Sequence, residues 1–356
     1  MKRETLITLS FFIVLGSILR IWQFWYQCVW IEEQYTLKLA SLPVIQIIQQ
    51  SITSDFNSPL YYLIVKIGVV LQMAPVLSLR IPALIFGILL IPAMYLLGRT
   101  YQNELTGVFC SGLTSILYPF VYYSQYGRSY SIAMLGFALL LTAWLVARRG
   151  GNSFPFWVGV GLIGWTHLFM LIPAFLLALD ILCRNGVSVN NFHQIAIAGL
   201  LSSPLLVSMV SVLKDRATSH GINYGYTPFE NALMMPGELY GVLFMVIGSL
   251  ILVSVVAWAN REVMTMICVA AITVMMLLLA SVFTPVFPRY GFAAAILGIV
   301  IASGIVKKGP EYIEGIGGYV DPAGITYGIA LCMILLLFAQ YSDFVHLWGS
   351  QIYTCL

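Results

Sequence analysis

Two adjacent glutamates, Glu32 and Glu33, follow the first apolar stretch of the chain. Charged side chains beside a hydrocarbon layer are costly, so carboxylates in such a place are candidates for chemistry. A carboxylate can take the proton of a hydroxyl group as that hydroxyl forms a new bond. Two arginines, Arg128 and Arg289, stand at the ends of other apolar stretches, and a guanidinium binds two phosphate oxygens at once. The four residues together would suit the transfer of a group from a phosphate ester to a hydroxyl.

Further polar residues occupy similar positions at the ends of apolar stretches. We take Arg20 and Tyr290 as additional candidates for binding a phosphate group. Candidates for binding substrate or a metal are Asp55, Asn57, Gln125, Tyr126 and His167. Glu33 and Asp55 carry the oxygen ligands that hard cations such as Mg²⁺ or Mn²⁺ prefer, so a metal-assisted reaction is predicted beside a metal-independent one. These residues also have plain structural alternatives: Glu32 and Glu33 as a solvated loop pair, Arg20, Arg128 and Arg289 as interfacial side chains, His167 as a packed histidine, and Asp55 as a turn residue.

The composition places these residues in a membrane protein. Of the 356 residues, 60% are hydrophobic and only 9% are charged, with a mean hydropathy of +0.93. An average soluble domain has about 25% charged residues. The net charge of +3 is small and says nothing about nucleic acid, but the sequence has no basic block, zinc-ligand spacing or glycine-rich phosphate loop, so we expect no nucleic-acid partner. The sequence therefore predicts an all-α polytopic membrane protein.

The apolar stretches predict about eleven transmembrane helices, each needing about 20 residues. They lie near 5–25, 80–98, 105–122, 129–147, 154–166, 168–183, 193–213, 237–258, 263–283, 291–306 and 322–341. With the N-terminus inside and the C-terminus outside, this arrangement follows the rule that basic residues favour the cytoplasm. The residues that it places there are Lys2, Arg3, Arg99, Arg148, Arg149, Arg184, Arg261, Lys307 and Lys308.

Three segments decide this count. The first apolar run is long for a signal-peptide core and lacks a small-residue cleavage site, so we predict an uncleaved first span. Residues 59–76 are predicted to lie at the outer interface, because a further span there would put Arg99 outside. Residues 154–183 are predicted to form two short helices that meet at Thr166-His167.

The same topology bears on the cysteines. Cys28 and Cys355 would both face outward, where they could pair.

In this topology the candidate residues converge on the outer face from separate connections between the spans, where the loop 214–236 also lies. They resemble, in order, the motifs of the GT-C glycosyltransferases, and more narrowly those of the protein mannosyltransferase, ArnT and Rgt-like group. The stretches that carry the resemblance are WIEEQYT (30–36), NSPLYYLIVKI (57–67), LRIPALIFGILLIPAMYLLGR (79–99), YYSQYGRSYSIAML (122–135), GWTHLFML (164–171) and PRY (288–290). They cover about the first 185 residues and one later motif.

The chain departs from that family's pattern at three places. Glu32 stands where the family has aspartate, and Tyr126 stands where it has glutamate. Asn57 and Ser58 stand in place of histidine and proline. These changes leave fewer acidic groups at the predicted site than the pattern normally has.

The resemblance implies a GT-C-like bundle with a long first outer loop that carries interfacial helices. It divides the single domain 1–356 into a catalytic module, 1–213, and more variable C-terminal helices, 214–356. The implied function is inverting transfer of a sugar from a polyprenyl-phosphate donor, of the dolichyl or undecaprenyl type, to a lipid, glycan or protein acceptor at the outer face of the plasma membrane. Glu32 and Glu33 would be the catalytic residues. Two alternatives stay open: an inactive GT-C-like binding or assembly subunit, and a transporter of lipid-linked substrate.

Overall fold

A computed structural model describes residues 2–304 except 23, 26–27, 55–58, 187–188, 219–229, 231–232, 236–237, 240–246, 249, 253–259 and 282–287. The long elements of the described chain are α-helices. They are α1 (Arg3–Ile21), α2 (Ile31–Ser41), α3 (Val44–Ser54), α4 (Pro59–Val70), α5 (Pro75–Tyr101), α6 (Glu104–Ile116), α7 (Tyr118–Tyr122), α8 (Tyr130–Arg148), α9 (Phe154–Ile163), α10 (Leu171–Asn185), α11 (Val189–Thr218), α12 (Arg261–Ala280) and α13 (Phe292–Ala302). Two 3₁₀ turns, Leu168–Met170 and Pro288–Gly291, precede α10 and α13.

Five helical segments of the described chain are long and apolar enough to cross a membrane. They are Arg3–Ile21, Pro75–Tyr101, Tyr130–Arg148, Leu168–Asn185 and Arg261–Ala280. Large apolar side chains on their outer faces are exposed, among them Val14, Leu89 and Phe175. Such faces suit a hydrocarbon environment rather than water. The expected membrane protein is supported, whereas the count of eleven spans stays a prediction, because the span at 322–341 lies outside the described residues.

Helix α5 runs through the centre of the described bundle and packs on α6 and α8. The approach of α5 to α6 is close because both helices have glycine at the contact. A Cβ atom on Gly98 would lie 2.7 Å from the carbonyl oxygen of Thr106, and one on Gly107 would lie 2.6 Å from that of Tyr95. Small residues at a helix crossing are the usual means of close packing in membranes, where burial of apolar surface gives no gain.

The predicted span 105–122 is not one helix. The structure ends α6 at Ile116 and starts α7 at Tyr118. Pro119 explains the break, because it has no N–H to give to the carbonyl of Ser115, four residues earlier. Arg20 supplies the missing donors: its guanidinium lies 2.9 Å from the carbonyl oxygen of Ser115 and 2.8 Å from that of Thr114.

Two other segments can be compared with the expectations by helix length alone. Helix α4 has 12 residues, or about 18 Å at 1.5 Å per residue, which is too short for a hydrocarbon core of about 30 Å. It ends at Val70, six residues before the expected end of the interfacial segment. Helix α9 ends at Ile163 and the next turn starts at Leu168, so the chain breaks where two helices were expected to meet.

Among the basic residues that were expected in the cytoplasm, Arg148, Arg149, Arg184 and Arg261 lie together at the end of the bundle opposite Glu32, while Lys307 and Lys308 lie outside the described residues. Arg148 donates to Asp180 over 2.7 Å, and Arg149 forms a two-point pair with Glu262. These contacts tie the C-terminal ends of α8 and α10 to the start of α12. These helix ends therefore lie on the same side of the bundle, as the topology predicted. Their orientation in the membrane stays a prediction.

Candidate active site

The two glutamates at the start of α2 have opposite surroundings. Glu33 is fully buried, and its carboxylate accepts four hydrogen bonds at 2.7–2.9 Å. Two come from the guanidinium of Arg80, one from the N–H of Trp30 at the start of the helix, and one from the N–H of Gly127. Each carboxylate oxygen thus already accepts two donors. Glu33 is placed to hold the site together, and it cannot take a proton or bind a metal without breaking these contacts.

Gly127 allows the turn between α7 and α8 to reach Glu33. A Cβ atom at this position would lie 2.8 Å from Oε1 of Glu33 and 2.8 Å from Cβ of Leu79. Real Cβ atoms do not approach other atoms so closely, so a larger residue would push the turn away. The glycine therefore fixes the distance between the first turn of α2 and the residues beside it in the motif, Tyr126 and Arg128.

Glu32 is the glutamate that faces open space. Its side chain is 37% exposed. One carboxylate oxygen accepts the hydroxyl of Tyr126 over 2.9 Å, and the other lies 3.6 Å from Nη2 of Arg289. Tyr126, which stands where the family pattern has a glutamate, thus orients Glu32. The expected meeting of a carboxylate with Arg289 is present in this geometry.

The side chain of Arg128 is hydrogen-bonded to the protein and does not face open space. It is only 6% exposed, and its Nη1 donates to the carbonyl oxygen of Glu32 at 3.0 Å and to the hydroxyl of Thr36 at 2.9 Å. Both acceptors belong to the first turns of α2. Arg128 therefore positions the backbone that carries Glu32, and Arg289 is the arginine beside the Glu32 carboxylate.

A row of tyrosines forms one wall beside Glu32. Tyr118, Tyr122, Tyr126 and Tyr130 stack in sequence with ring centroids 5.7–6.1 Å apart. The guanidinium carbon of Arg289 lies 5.9 Å from the ring centre of Tyr130, at the outer limit of a cation–π contact. Flat apolar faces with a cation and a carboxylate at their edge can bind a sugar ring or an isoprenoid end.

His167 lies behind this wall, in the break before the Leu168–Met170 turn. Its ring is 5.8 Å from Tyr130 and 5.1 Å from Tyr290, and the side chain is 2% exposed. Among the residues that the structure describes, neither ring nitrogen has a hydrogen-bond partner. Burial, together with the charges of Arg128 and Arg289, lowers the pKa of His167 to about 3. The imidazole is therefore neutral at physiological pH.

Two of the remaining candidates, Arg20 and Gln125, are not brought to this group. Arg20 is fully buried and donates to backbone carbonyls and to Ser124, so its guanidinium contacts the protein rather than facing Glu32 or the interface. Gln125 donates to the carbonyls of residues 19, 20 and 22 and thereby caps the end of α1. Tyr290 does join the site, where it contacts His167 and Phe169. Asp55 and Asn57 lie outside the described residues.

Two charged residues were missed by the sequence reading. Arg80 was inside a quoted motif, yet an arginine with no solvent exposure in an apolar helix is itself a signal of a partner carboxylate. Glu238, near the start of a predicted span, is a partly buried acid close to Tyr123 and Arg289. The sequence signal for Glu238 was an isolated acidic residue near the start of an apolar span.

The metal prediction does not fit the described residues. No group of three or more histidine, cysteine, aspartate or glutamate side chains comes together among them. Of the two proposed ligands, Glu33 has its oxygens occupied by protein donors, and Asp55 lies outside the described part. We therefore derive no step through a metal ion.

Comparison with solved structures shows which known fold this helical bundle resembles. The chain is similar to the oligosaccharyltransferase of Archaeoglobus fulgidus in the apo form, with a TM-score of 0.61 and 14% identity over 98% of this chain and 56% of that one. It is also similar to ArnT from Cupriavidus metallidurans in the apo state, with a TM-score of 0.58 and 12% identity over 98% of this chain and 74% of that one. The fold is that of the GT-C glycosyltransferases.

These similarities are of fold. The ArnT structure bound to undecaprenyl phosphate matches with a TM-score of 0.52 and 12% identity, over 98% of this chain and 75% of that one. The chain spans only about 56% of the length of the oligosaccharyltransferase. No protein-family model and no curated protein matches the sequence. The narrower protein mannosyltransferase or Rgt-like group therefore stays a prediction.

Proposed function

We propose that this protein is an inverting membrane glycosyltransferase that moves a sugar from a polyprenyl-phosphate donor to the hydroxyl of a lipid, glycan or protein acceptor. The observation that carries the proposal is the position of Glu32. Its carboxylate is partly open to solvent and lies between a tyrosine hydroxyl and an arginine, at the edge of an aromatic wall. The GT-C fold supports the proposal at a coarse level, since fold alone does not determine function.

Glu32 would act as the general base. The acceptor oxygen forms its bond to the anomeric carbon of the sugar, and the proton of that hydroxyl moves to the Glu32 carboxylate. The hydrogen bond from Tyr126 holds one carboxylate oxygen, which leaves the other for the acceptor. Arg128 and the Glu33–Arg80 pair keep the first turn of α2 in place.

Arg289 would stabilise the leaving phosphate. As the bond between the anomeric carbon and the phosphate oxygen breaks, its electron pair stays with the phosphate, and a nearby guanidinium balances the added charge. Without ligand, Arg289 lies 3.6 Å from Glu32. A bound phosphate would compete with Glu32 for this cation, so donor binding would also free the carboxylate for its acceptor.

An apolar groove beside the site would hold the isoprenoid tail. It lies among α4, α5, α8 and α9, has a volume of about 820 Å³, and is lined by side chains that include Leu63, Leu139 and Ala143. One end is at Thr166, the neighbour of His167. A tail placed here would stay in the lipid while its phosphate reached Arg289.

We place the site on the outer face of the plasma membrane. Cys28, four residues before Glu32, is disulfide-bonded, and disulfides persist in oxidising compartments rather than in the cytosol. Cys355 lies outside the described residues. The basic residues at the opposite end, such as Arg148 and Arg149, favour the cytoplasm. Thiol labelling of reduced intact cells tests this: an impermeant maleimide should label Cys28, and failure to do so while a permeant one succeeds would reverse the orientation.

A second candidate function is a GT-C-like subunit that binds lipid-linked sugars without transfer. Two features favour it: the Glu33 carboxylate is fully hydrogen-bonded to the protein, and position 126 has a tyrosine instead of an acid. Among the described residues, Glu32 is then the one exposed carboxylate beside Arg289 and the tyrosine wall. Such a subunit would bind donor through Arg289 but would have no use for a base.

The deciding experiment uses the purified protein with undecaprenyl- and dolichyl-phosphate mannose, glucose and N-acetylglucosamine. Release of polyprenyl phosphate that depends on an added glycan, lipid or peptide acceptor supports the transferase. Binding without release favours the subunit. Movement of donor across proteoliposomes without release would instead indicate a transporter, and no binding to any donor would reject the proposal.

A further inference from the structure

The imidazole of His167 is buried without the hydrogen bonds that a buried polar group normally has. The side chain is 2% exposed, and among the described residues neither Nδ1 nor Nε2 has a hydrogen-bond partner. Nearly all buried polar atoms in folded proteins have such a partner, because burial removes the hydrogen bonds that water would supply. An imidazole that no neighbouring side chain satisfies is therefore a candidate for binding a ligand.

Packing alone does not explain a histidine at this position. Three aromatic rings enclose the imidazole, with centroids 5.1 Å away at Tyr290, 5.8 Å at Tyr130 and 6.0 Å at Phe169. Tyr290 and Phe169 also stack on each other at 5.1 Å. A phenylalanine could pack among these rings without burying two unpaired nitrogens, and an unpaired buried polar atom is destabilising. The histidine therefore suits a role other than packing.

His167 lies near both the apolar groove and the arginine beside Glu32. Its chain neighbour Thr166 lines the end of the groove among α4, α5, α8 and α9. Tyr130 contacts the imidazole at 5.8 Å and the guanidinium carbon of Arg289 at 5.9 Å. A lipid whose tail lies in this groove and whose head reaches Arg289 would bring the group between tail and sugar close to the imidazole. In a polyprenyl-phosphate sugar that group is the phosphate.

We propose that His167 binds the phosphate of the lipid donor through an imidazole N–H, beside the guanidinium of Arg289. The inference rests on the proposed function, in which Arg289 binds that phosphate. A neutral imidazole has one N–H donor and one acceptor nitrogen, so it can donate to a phosphate oxygen without adding a charge. Because aromatic rings enclose the imidazole, one of them has to move before the phosphate can reach it. We expect Tyr290 to move, since it belongs to the same Pro288–Gly291 turn as Arg289.

The test measures the Kd of undecaprenyl phosphate, and of undecaprenol as the same tail without phosphate, for variants of the whole protein. His167→Phe should weaken binding of undecaprenyl phosphate about tenfold, the scale of a lost hydrogen bond to a charged group, and leave binding of undecaprenol unchanged. His167→Gln should keep most of the affinity, because its amide N–H can donate in place of Nε2–H. His193→Phe, the same change at an exposed position of α11, is the matched control.

Two results would overturn the inference. One is wild-type affinity of His167→Phe for undecaprenyl phosphate. The other is an equal loss of affinity for both lipids, which would indicate a changed shape of the site rather than a lost phosphate contact. The Tm of the protein without lipid separates a structural histidine from a binding one. His167→Phe should unfold at a Tm no lower than wild type, because it removes two unpaired buried nitrogens. A clearly lower Tm with unchanged affinity would identify a packed histidine.

If His167→Phe does not fold, NMR of the wild-type protein with labelled histidines carries the test. The imidazole signals of His167, assigned by their loss in His167→Gln, should shift on addition of undecaprenyl phosphate and stay in place with undecaprenol. Signals that do not respond to undecaprenyl phosphate would overturn the inference. Binding of undecaprenyl phosphate through His167 without any sugar transfer would reject the proposed transferase alone, whereas no binding of this lipid to the wild-type protein would reject both.

Discussion

Glu33 and Arg80 form a two-point ion pair, at 2.7 and 2.8 Å, in which neither side chain is exposed to solvent. The pair joins the first turn of α2 to the start of α5, and Arg80 also donates to the carbonyls of Phe24 and Cys28. In the intact pair, the cost of removing both charges from water is nearly balanced by their attraction. Removing one partner leaves an unpaired buried charge, which is strongly destabilising.

The first prediction is that Glu33→Gln lowers stability. The glutamine leaves Arg80 buried without a counter-charge, and breaking such a pair costs about 3–5 kcal/mol. Thermal unfolding in detergent, followed by tryptophan fluorescence, should show a clearly lower Tm for Glu33→Gln than for Glu32→Gln. Equal Tm values would mean that the Glu33 carboxylate does not hold the site together.

The second prediction is that Glu32→Gln folds normally but loses about a hundredfold in turnover, the scale of a general base. Glutamine keeps the size of the side chain and its contact with Tyr126, yet it cannot accept the acceptor's proton. Turnover is measured as release of polyprenyl phosphate, and Glu32→Asp serves as the companion with a shorter reach. Full activity in Glu32→Gln would remove Glu32 from the mechanism.

The third prediction separates Arg20 from the phosphate-binding residues. Arg20→Leu leaves the carbonyls of Thr114 and Ser115 without donors inside the bundle, so the Tm should fall. The folded fraction should bind undecaprenyl phosphate with wild-type affinity, because Arg20 does not reach the site. Arg289→Lys should show the reverse pattern, a normal Tm with weaker binding, since lysine lacks the planar fork. Weak binding by folded Arg20→Leu would return Arg20 to the donor site.

The fourth prediction concerns the groove among α4, α5, α8 and α9. Ala143→Phe places a ring in it and should raise the KM for donor while leaving kcat near its original value. The matched control is Ala271→Phe, which lines a separate apolar cavity of about 620 Å³ beside α12 and α13. A higher KM only in the control variant would place the isoprenoid tail in that second cavity.

The sequence predicted the helical class and most of the described helix positions, because apolar runs and basic ends are local signals. It also brought Glu32, Tyr126, Arg289 and Tyr290 to one place through the resemblance. It could not assign roles within the site. Glu32 and Glu33 are neighbours with the same chemistry, and only the rotation of α2 decides that one faces Arg80 and the other the opening.

The same limit explains the misplacement of Arg20. Its role depends on the break at Pro119, about 100 residues away in the sequence, which exposes the carbonyl that it binds. Arg20 and Gln125 are polar residues near the outer end, and by position alone they belong with the site. Their hydrogen bonds instead complete the ends of α6 and α1, a need that arises because backbone groups inside a membrane have no water to bind.

The last prediction is a pH dependence of stability that His167 causes. Its pKa is about 3 in the folded protein, lowered from an ordinary value of 6.5 by burial and by Arg128 and Arg289. Between these values the unfolded chain takes up a proton at this residue and the folded protein does not. Stability is therefore fully present above about pH 6.5 and falls as the pH is lowered, by up to about 1.4 kcal/mol for each pH unit. Unfolding measured in detergent from pH 7.5 to 5 should show this slope in wild type and a smaller one in His167→Gln. An identical slope in His167→Gln would mean that His167 already carries its proton in the folded protein, and the neutral imidazole would have to be abandoned.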